Sequence, residues 1–189
     1  MANAEYRLHL TPRTANDPDA AVASALTNAK AAFGMIPNMY ANMANAPSLL
    51  ETYMLGYAGF RRDGGFSAAE QEVVFLTISI ANGCSYCVGA HSAVADMADV
   101  PTEVTDALRA GDELTDEHLA ALAAFTRTMV LSRGLPTVAD VDAFLAAGFT
   151  ETHVLYIVLA IAVKTLSNYS NHLFHTPLDR AFAARAWEG

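Results

Sequence analysis

Cysteine and tryptophan are scarce, with two cysteines and one tryptophan among 189 residues. One cysteine pair cannot staple a secreted fold in several places, so a disulfide-rich scaffold is excluded and stability must come from a packed core. Charge is thin as well: 16% of residues are charged, with 11 Lys and Arg against 20 Asp and Glu, for a formal net charge of -9. The basic residues are scattered singly. No patch is positive enough to hold a phosphate backbone or an anionic membrane surface, which excludes nucleic acid as a partner. Long apolar runs are absent too. Val154 to Val163 is the most lipid-like stretch, it stops at Lys164, and it falls well short of the roughly twenty residues a spanning helix needs. It reads as a buried core helix, and no membrane association is expected. Met1 to Pro12 carries Glu5, Arg7 and His9 and no hydrophobic stretch of a secretory leader, so a cytoplasmic location is expected.

What is abundant is apolar residue, at 53% of the chain. That is high for a soluble monomer and predicts a homo-oligomer with apolar surface buried between subunits. The length suits a single domain over 1–189, with an N-terminal extension and helix at 1–36, a core at 37–179 and a tail at 180–189.

No segment sustains the period-two alternation of a strand, so the fold class is all-α, a bundle of eight or nine helices. Asp19 to Phe33 reads as a helix closed by Gly34, followed by a turn at Pro37 and short helices at 39–45 and from Pro47 to about Phe60. Arg61 to Phe66 reads as a loop around Gly64-Gly65. Ser67-Ala-Ala-Glu70 is a capping box that starts a strongly apolar helix, which breaks at Asn82-Gly83. A new helix begins at Cys84 and ends before Pro101. In the second half Thr115, Thr137 and Thr150 are expected helix caps, the last opening a long helix to about Phe174. Laying Phe66-Ser67 over Phe149-Thr150 also lays Cys84-Ser85-Tyr86-Cys87 over Ser167-Asn168-Tyr169-Ser170. An internal duplication would produce such a match, and so would chance.

The chemistry concentrates in one segment. At 100° per residue, Cys84, Cys87 and His91 fall on one helical stripe about 60° wide. Cys84 sits at a helix N-terminus, where free N–H groups favour a thiolate. His91 lies one turn beyond Cys87 and titrates near neutrality, which suits it to move a thiol proton. Glu72 interrupts an apolar helix without any capping duty. Antiparallel packing about Asn82-Gly83 would bring it to His91, there to orient the imidazole and stabilise its cationic form.

Glu72, eleven residues, Cys84-Ser85-Tyr86-Cys87 and His91 together resemble the E-x(11)-C-x-x-C-x-x-x-H signature of the alkylhydroperoxidase AhpD-like proteins, in the carboxymuconolactone decarboxylase superfamily. Asn168-Tyr169-Ser170-Asn171-His172 and Thr176-Pro177-Leu178-Asp179 resemble its peroxidase-related branch. The resemblance implies an AhpD-like bundle, often trimeric or hexameric, that reduces hydroperoxides without a bound cofactor. It implies that Cys87 attacks the peroxide, Cys84 closes the disulfide, and Glu72 and His91 relay the proton. It further implies re-reduction by an external dithiol, on a lipoylated or thioredoxin-like protein. The best-studied relatives carry a second histidine where this chain has Tyr86, which lies outside the stripe and reads as a packing residue.

Plainer readings stand beside these. The cysteines with His91 and Glu72 would make a four-ligand zinc site only if all four converge. His172 and His175, with Asn168 and Asn171, read as a structural polar stripe. His118 and His153 read as local partners of helix starts. Met35, Met39, Met43, Met54, Met97 and Met129 read as core filler. Two other functions remain open: a lactone decarboxylase that needs no dithiol, and a redox sensor whose assembly follows the disulfide.

Overall fold

Helix starts in this chain are set by side chains that accept the first unpaired N–H groups. In the computed structural model, which describes residues 4–189, Asp19 accepts from the N–H groups of Ala21 and Val22 and starts α1 (Ala20–Phe33). Pro37 and Pro47, with φ already fixed, open α2 (Asn38–Met43) and α3 (Pro47–Asp63). Ser67 and Glu70 form the reciprocal capping box of α4 (Ala68–Ala81). Gly83, at φ 72, turns the chain into α5 (Ser85–Met97), capped by the Cys84 side chain. Then come α6 (Thr102–Ala110), α7 (Glu117–Leu131), α8 (Val138–Ala146) and α9 (Glu151–Phe174), with a last 3-10 helix at Arg180–Arg185. No strand occurs among the described residues, and no single helix there is long and apolar enough to cross a membrane.

Two boundaries depart from expectation. The helix begun at Pro47 runs through Arg61 and Arg62 to Asp63, because Gly64 keeps helical geometry and closes the last turn onto the Phe60 carbonyl. The cap of α7 is Asp116 in place of Thr115: its carboxylate accepts from His118 and Leu119 and is the stronger acceptor beside a helix N-terminus. The segments that superpose in the sequence both open on capping boxes, at Ser67 and Thr150. Yet α4 and α5 are split at Gly83, whereas α9 runs unbroken for 24 residues.

Helix α4 is the centre of the bundle. Every residue from Glu72 to Ser79 is buried, since α5, α6, α7 and α9 all pack on it. Two apolar clusters flank it. One gathers Phe60, Phe75, Leu122, Phe125, Phe144 and Ile157 from α3, α4, α7, α8 and α9. The other gathers Leu26, Met43, Leu50 and Tyr53 around Cys84, Tyr86 and Cys87, with Val163 of α9. Each fully buried aromatic or aliphatic side chain contributes roughly 1.5–3 kcal/mol, so the cysteines are embedded in one of the molecule's two sources of stability.

The C-terminal segment is fastened to α5. At Gly89 an added Cβ would lie 3.0 Å from Leu178 Cδ2 and 3.2 Å from the Arg185 carbonyl oxygen, so a larger residue would push both back by a few tenths of an ångström. Arg109 of α6 donates to the Arg185 and Ala186 carbonyls at 2.9 and 2.8 Å. Just before this helix, the buried Asp179 accepts from Tyr86 Oη at 2.6 Å and from the Asn38 N–H at 3.1 Å, tying α5 to the start of α2. Tyr86 is thus a packing and anchoring residue. Asp179→Ala should lower stability by about 2 kcal/mol, because it leaves a buried hydroxyl without its acceptor. Urea denaturation of the variant checks this.

Candidate active site

Helices α3, α4, α5 and α9 each contribute to one buried polar cluster within the apolar core. The turn at Gly83 folds α5 back along α4 and brings Glu72 to His91, with Glu72 Oε2 2.9 Å from His91 Nδ1. Glu72 Oε1 lies 2.5 Å from Arg61 Nη1, an ion pair made from the part of α3 expected to be loop. Arg61 also donates to Tyr57 Oη at 2.6 Å, and its guanidinium lies 4.9 Å from the Tyr57 and Phe75 ring centres. Burial works to raise the Glu72 carboxyl, but His91 and Arg61 outweigh it and hold Glu72 below the usual range, as a carboxylate.

His91 goes the other way. Burial, with the charge of Lys164, lowers its imidazole to about 4 against the pull of Glu72. The ring is neutral at pH 7, with Nδ1 donating to Glu72 and Nε2 left to accept. The expected cationic imidazole is therefore corrected: burial among Phe75, Tyr57 and two cations outweighs one carboxylate. A stability signature follows. Unfolded, the imidazole takes its proton near 6.5; folded, it resists until about 4. Between those values the unfolded chain binds more protons, so stability should fall as pH drops through this window, by roughly 3 kcal/mol in all. Glu72, whose carboxyl is depressed, loses its contribution only below its ordinary 4.5. Denaturant titrations across this range should show the His91 slope in the wild type and its loss in His91→Gln.

Both cysteines are reduced and buried. Cys84 Sγ accepts from the Cys87 N–H at 3.4 Å, and the Asn171 amide of α9 reaches Cys87 Sγ at 3.2 Å and Cys84 Sγ at 3.9 Å. Burial would raise the Cys87 thiol. The hydrogen bond from Cys84, the Lys164 charge and the Asn171 and Asn168 amides overcome it and bring Cys87 down to about 5. Burial pushes the Cys84 thiol up, as does its bond to Cys87. The favoured thiolate thus lies one turn inside the helix, on Cys87, and not on Cys84 at the helix N-terminus.

Lys164 is the residue that sequence reasoning passed over as the end of an apolar run. It is 1% exposed. Its Nζ lies 5.6 Å from the Phe75 ring centre, and it has neither carboxylate partner nor hydrogen bond among the described residues. Asn168 and Asn171 were placed in a structural stripe; both face this cluster, Asn168 accepting from Asn82 Nδ2 at 2.9 Å. His172 and His175 stay outside it, His175 facing the Ala4 carbonyl at 2.7 Å. His153 completes the capping box of α9. His118 does not act as a cap; it stacks on Phe149 at 4.2 Å and bridges Glu70 and the Ala147 carbonyl. The donors of a zinc reading do not converge: Glu72 turns to Arg61 and His91.

Cys87, His91 and Lys164 line a cavity of about 480 Å³ whose remaining wall is mostly apolar and aromatic, including Tyr40, Tyr53, Tyr57, Met39 and Phe182. Met35 and Met97 also line it, and Met97 is 71% exposed, so these methionines are wall residues and not core filler. Cys84 lines a separate, more polar cavity of about 290 Å³, beside Asn171 and His172.

An all-α bundle with a buried Cys-x-x-Cys pair, a Glu–His contact and an apolar cavity defines a class of helical dithiol proteins. Residues 47–128 match the model of the carboxymuconolactone decarboxylase family. No curated protein matches the chain significantly. Among solved structures, the alkylhydroperoxidase AhpD core of an uncharacterized peroxidase-related protein from Ralstonia eutropha JMP134 is 22% identical, with a TM-score of 0.75 over 85% of this chain and 86% of that one. An uncharacterized peroxidase-related protein from Silicibacter sp. TM1040 is 17% identical, with a TM-score of 0.79 over 97% of each chain. The debrominase Bmp8 is 16% identical, with a TM-score of 0.76 over 94% of this chain and 96% of that one. A cysteine-to-alanine variant of it has been solved with 2,3,4-tribromopyrrole. At these identities the likeness is one of fold.

Proposed function

We propose that this protein is a dithiol peroxidase that reduces organic hydroperoxides. The observation that carries the reading is a thiolate-forming Cys87 in the wall of an apolar cavity, with the Cys84 thiol against it. The Cys87 thiolate attacks the peroxide oxygen; an S–O bond forms, the O–O bond breaks, and an alcohol leaves. Cys84 then attacks the sulfenic acid, releasing water and closing the Cys84–Cys87 disulfide. Neutral His91, steered by Glu72, exchanges protons between the thiols and the cavity. An external dithiol, on a lipoylated or thioredoxin-like protein, reopens the disulfide by exchange, which suits a reducing compartment such as the cytoplasm. Exposed Leu55, Leu135, Val138 and Leu155 offer the apolar surface of a homo-oligomer.

The test is rapid mixing of the reduced protein with an alkyl hydroperoxide, counting thiols as peroxide disappears. Two thiols lost per peroxide consumed is the expected result. No thiol loss, or decarboxylation of carboxymuconolactone that survives removal of both cysteines, would overturn it. A second reading, reduction of a carbon–bromine bond on a small ring, draws on the ring-lined cavity and on the fold shared with Bmp8. Bromide release from 2,3,4-tribromopyrrole by the reduced protein tests that reading.

A further inference from the structure

The two buried pairs of charges in the site behave differently during a redox cycle. Glu72 and Arg61 hold each other throughout. Lys164 has only the Cys87 thiolate as a countercharge, and that charge vanishes when Cys87 enters a disulfide. An ammonium 1% exposed, with no carboxylate partner, would then be a lone buried cation, which costs several kcal/mol. Lysine, unlike arginine, can relieve this by giving up its proton. In the cavity the obvious acceptor is the oxygen that leaves the peroxide, because the negative charge passes from sulfur to that oxygen as the O–O bond breaks.

Building on the peroxidase reading, we propose that Lys164 is the general acid of the reaction, protonating the leaving oxygen and remaining a neutral amine in the oxidised enzyme. The step balances. Thiolate, ammonium, Cys84 thiol and hydroperoxide give disulfide, neutral amine, alcohol and water; the two sulfurs lose two electrons and the peroxide gains them. The buried site is electrically neutral before and after. Because the buried acid lines a mostly apolar cavity, the substrates are hydroperoxides with an apolar body and the reacting oxygens foremost.

The other titratable groups facing Lys164 and Cys87 keep their charge near neutral pH. Glu72 and Arg61 stay ionised, and His91 stays neutral. Burial pushes the phenols of Tyr53, Tyr57 and Tyr86 upward, and Cys84 stays a thiol. The protons taken up on reducing the disulfide therefore report on Lys164. The experiment is a redox titration of the wild-type Cys84/Cys87 couple against a dithiol buffer between roughly pH 6 and 8. Cys87 ionisation is followed in the same samples by thiolate absorbance. With Cys87 ionised, two protons per two electrons are expected, and Lys164→Arg, which cannot deprotonate, should take up one. One proton in the wild type, or two in Lys164→Arg, would overturn the proposal. Neither result depends on peroxide: a two-proton couple that consumes no hydroperoxide would sink the peroxidase reading alone, and a one-proton couple that does consume it would sink this proposal alone.

Discussion

Cys87→Ser should bring hydroperoxide consumption to the uncatalysed background, a loss on the order of 10³-fold or more, because a serine hydroxyl can neither ionise at neutral pH nor carry oxygen. Cys84→Ser should behave differently. Its Cys87 can still be oxidised once, so a burst of about one peroxide per site is expected, with no turnover after it. Without Cys84 no disulfide forms, and excess peroxide carries Cys87 on toward the sulfinic acid, visible as added oxygen by mass spectrometry. Turnover at the wild-type rate in both variants would remove the dithiol from the mechanism.

Lys164→Met should have the next largest effect. With the cation gone, burial is opposed only by the hydrogen bond from Cys84 and by the two amides, and the Cys87 thiol moves up from about 5 toward its ordinary 9.0. Above its folded value Cys87 is ionised, so raising that value removes nucleophile at neutral pH and restores it as pH rises. The rate constant with peroxide at pH 7 should fall by roughly tenfold to hundredfold, and alkaline buffer should recover only the part that reflects lost thiolate, because the proton donor is gone at every pH. A structural lysine would give a pH-independent loss. Methionine fills much the same volume, so packing in α9 should survive, which a circular dichroism melt verifies.

What the sequence disclosed about this site follows the range of the interactions involved. Capping at Ser67, Thr137 and Thr150 depends on residues three apart, and the alignment of Cys84, Cys87 and His91 depends on one helical period. Both are readable without tertiary structure. Glu72 was reachable because the Asn82-Gly83 signal fixes how α5 folds onto α4. Arg61, Lys164 and Asn171 come from α3 and α9, whose approach is decided by packing. Arg61 lay next to Gly64-Gly65 and resembled loop, and Lys164 resembled the polar end of a core helix. The lower thiol falls on Cys87 and not at the helix N-terminus for a tertiary reason. A helix N-terminus is worth about 0.3–1 kcal/mol, whereas the hydrogen bond from Cys84, the Lys164 charge and the Asn171 and Asn168 amides converge on Cys87.

The fastening of the last residues onto α5 has a practical side. Ala181, Phe182, Ala184 and Arg185 are wall of the larger cavity, and Ala186 and Trp187 are wall of the smaller one, so both cavities depend on residues close to Gly189. A purification handle fused after Gly189, or a truncation before Arg180, would reshape both mouths at once. Kinetic comparisons between preparations that differ only in that handle would then be comparisons between different cavities.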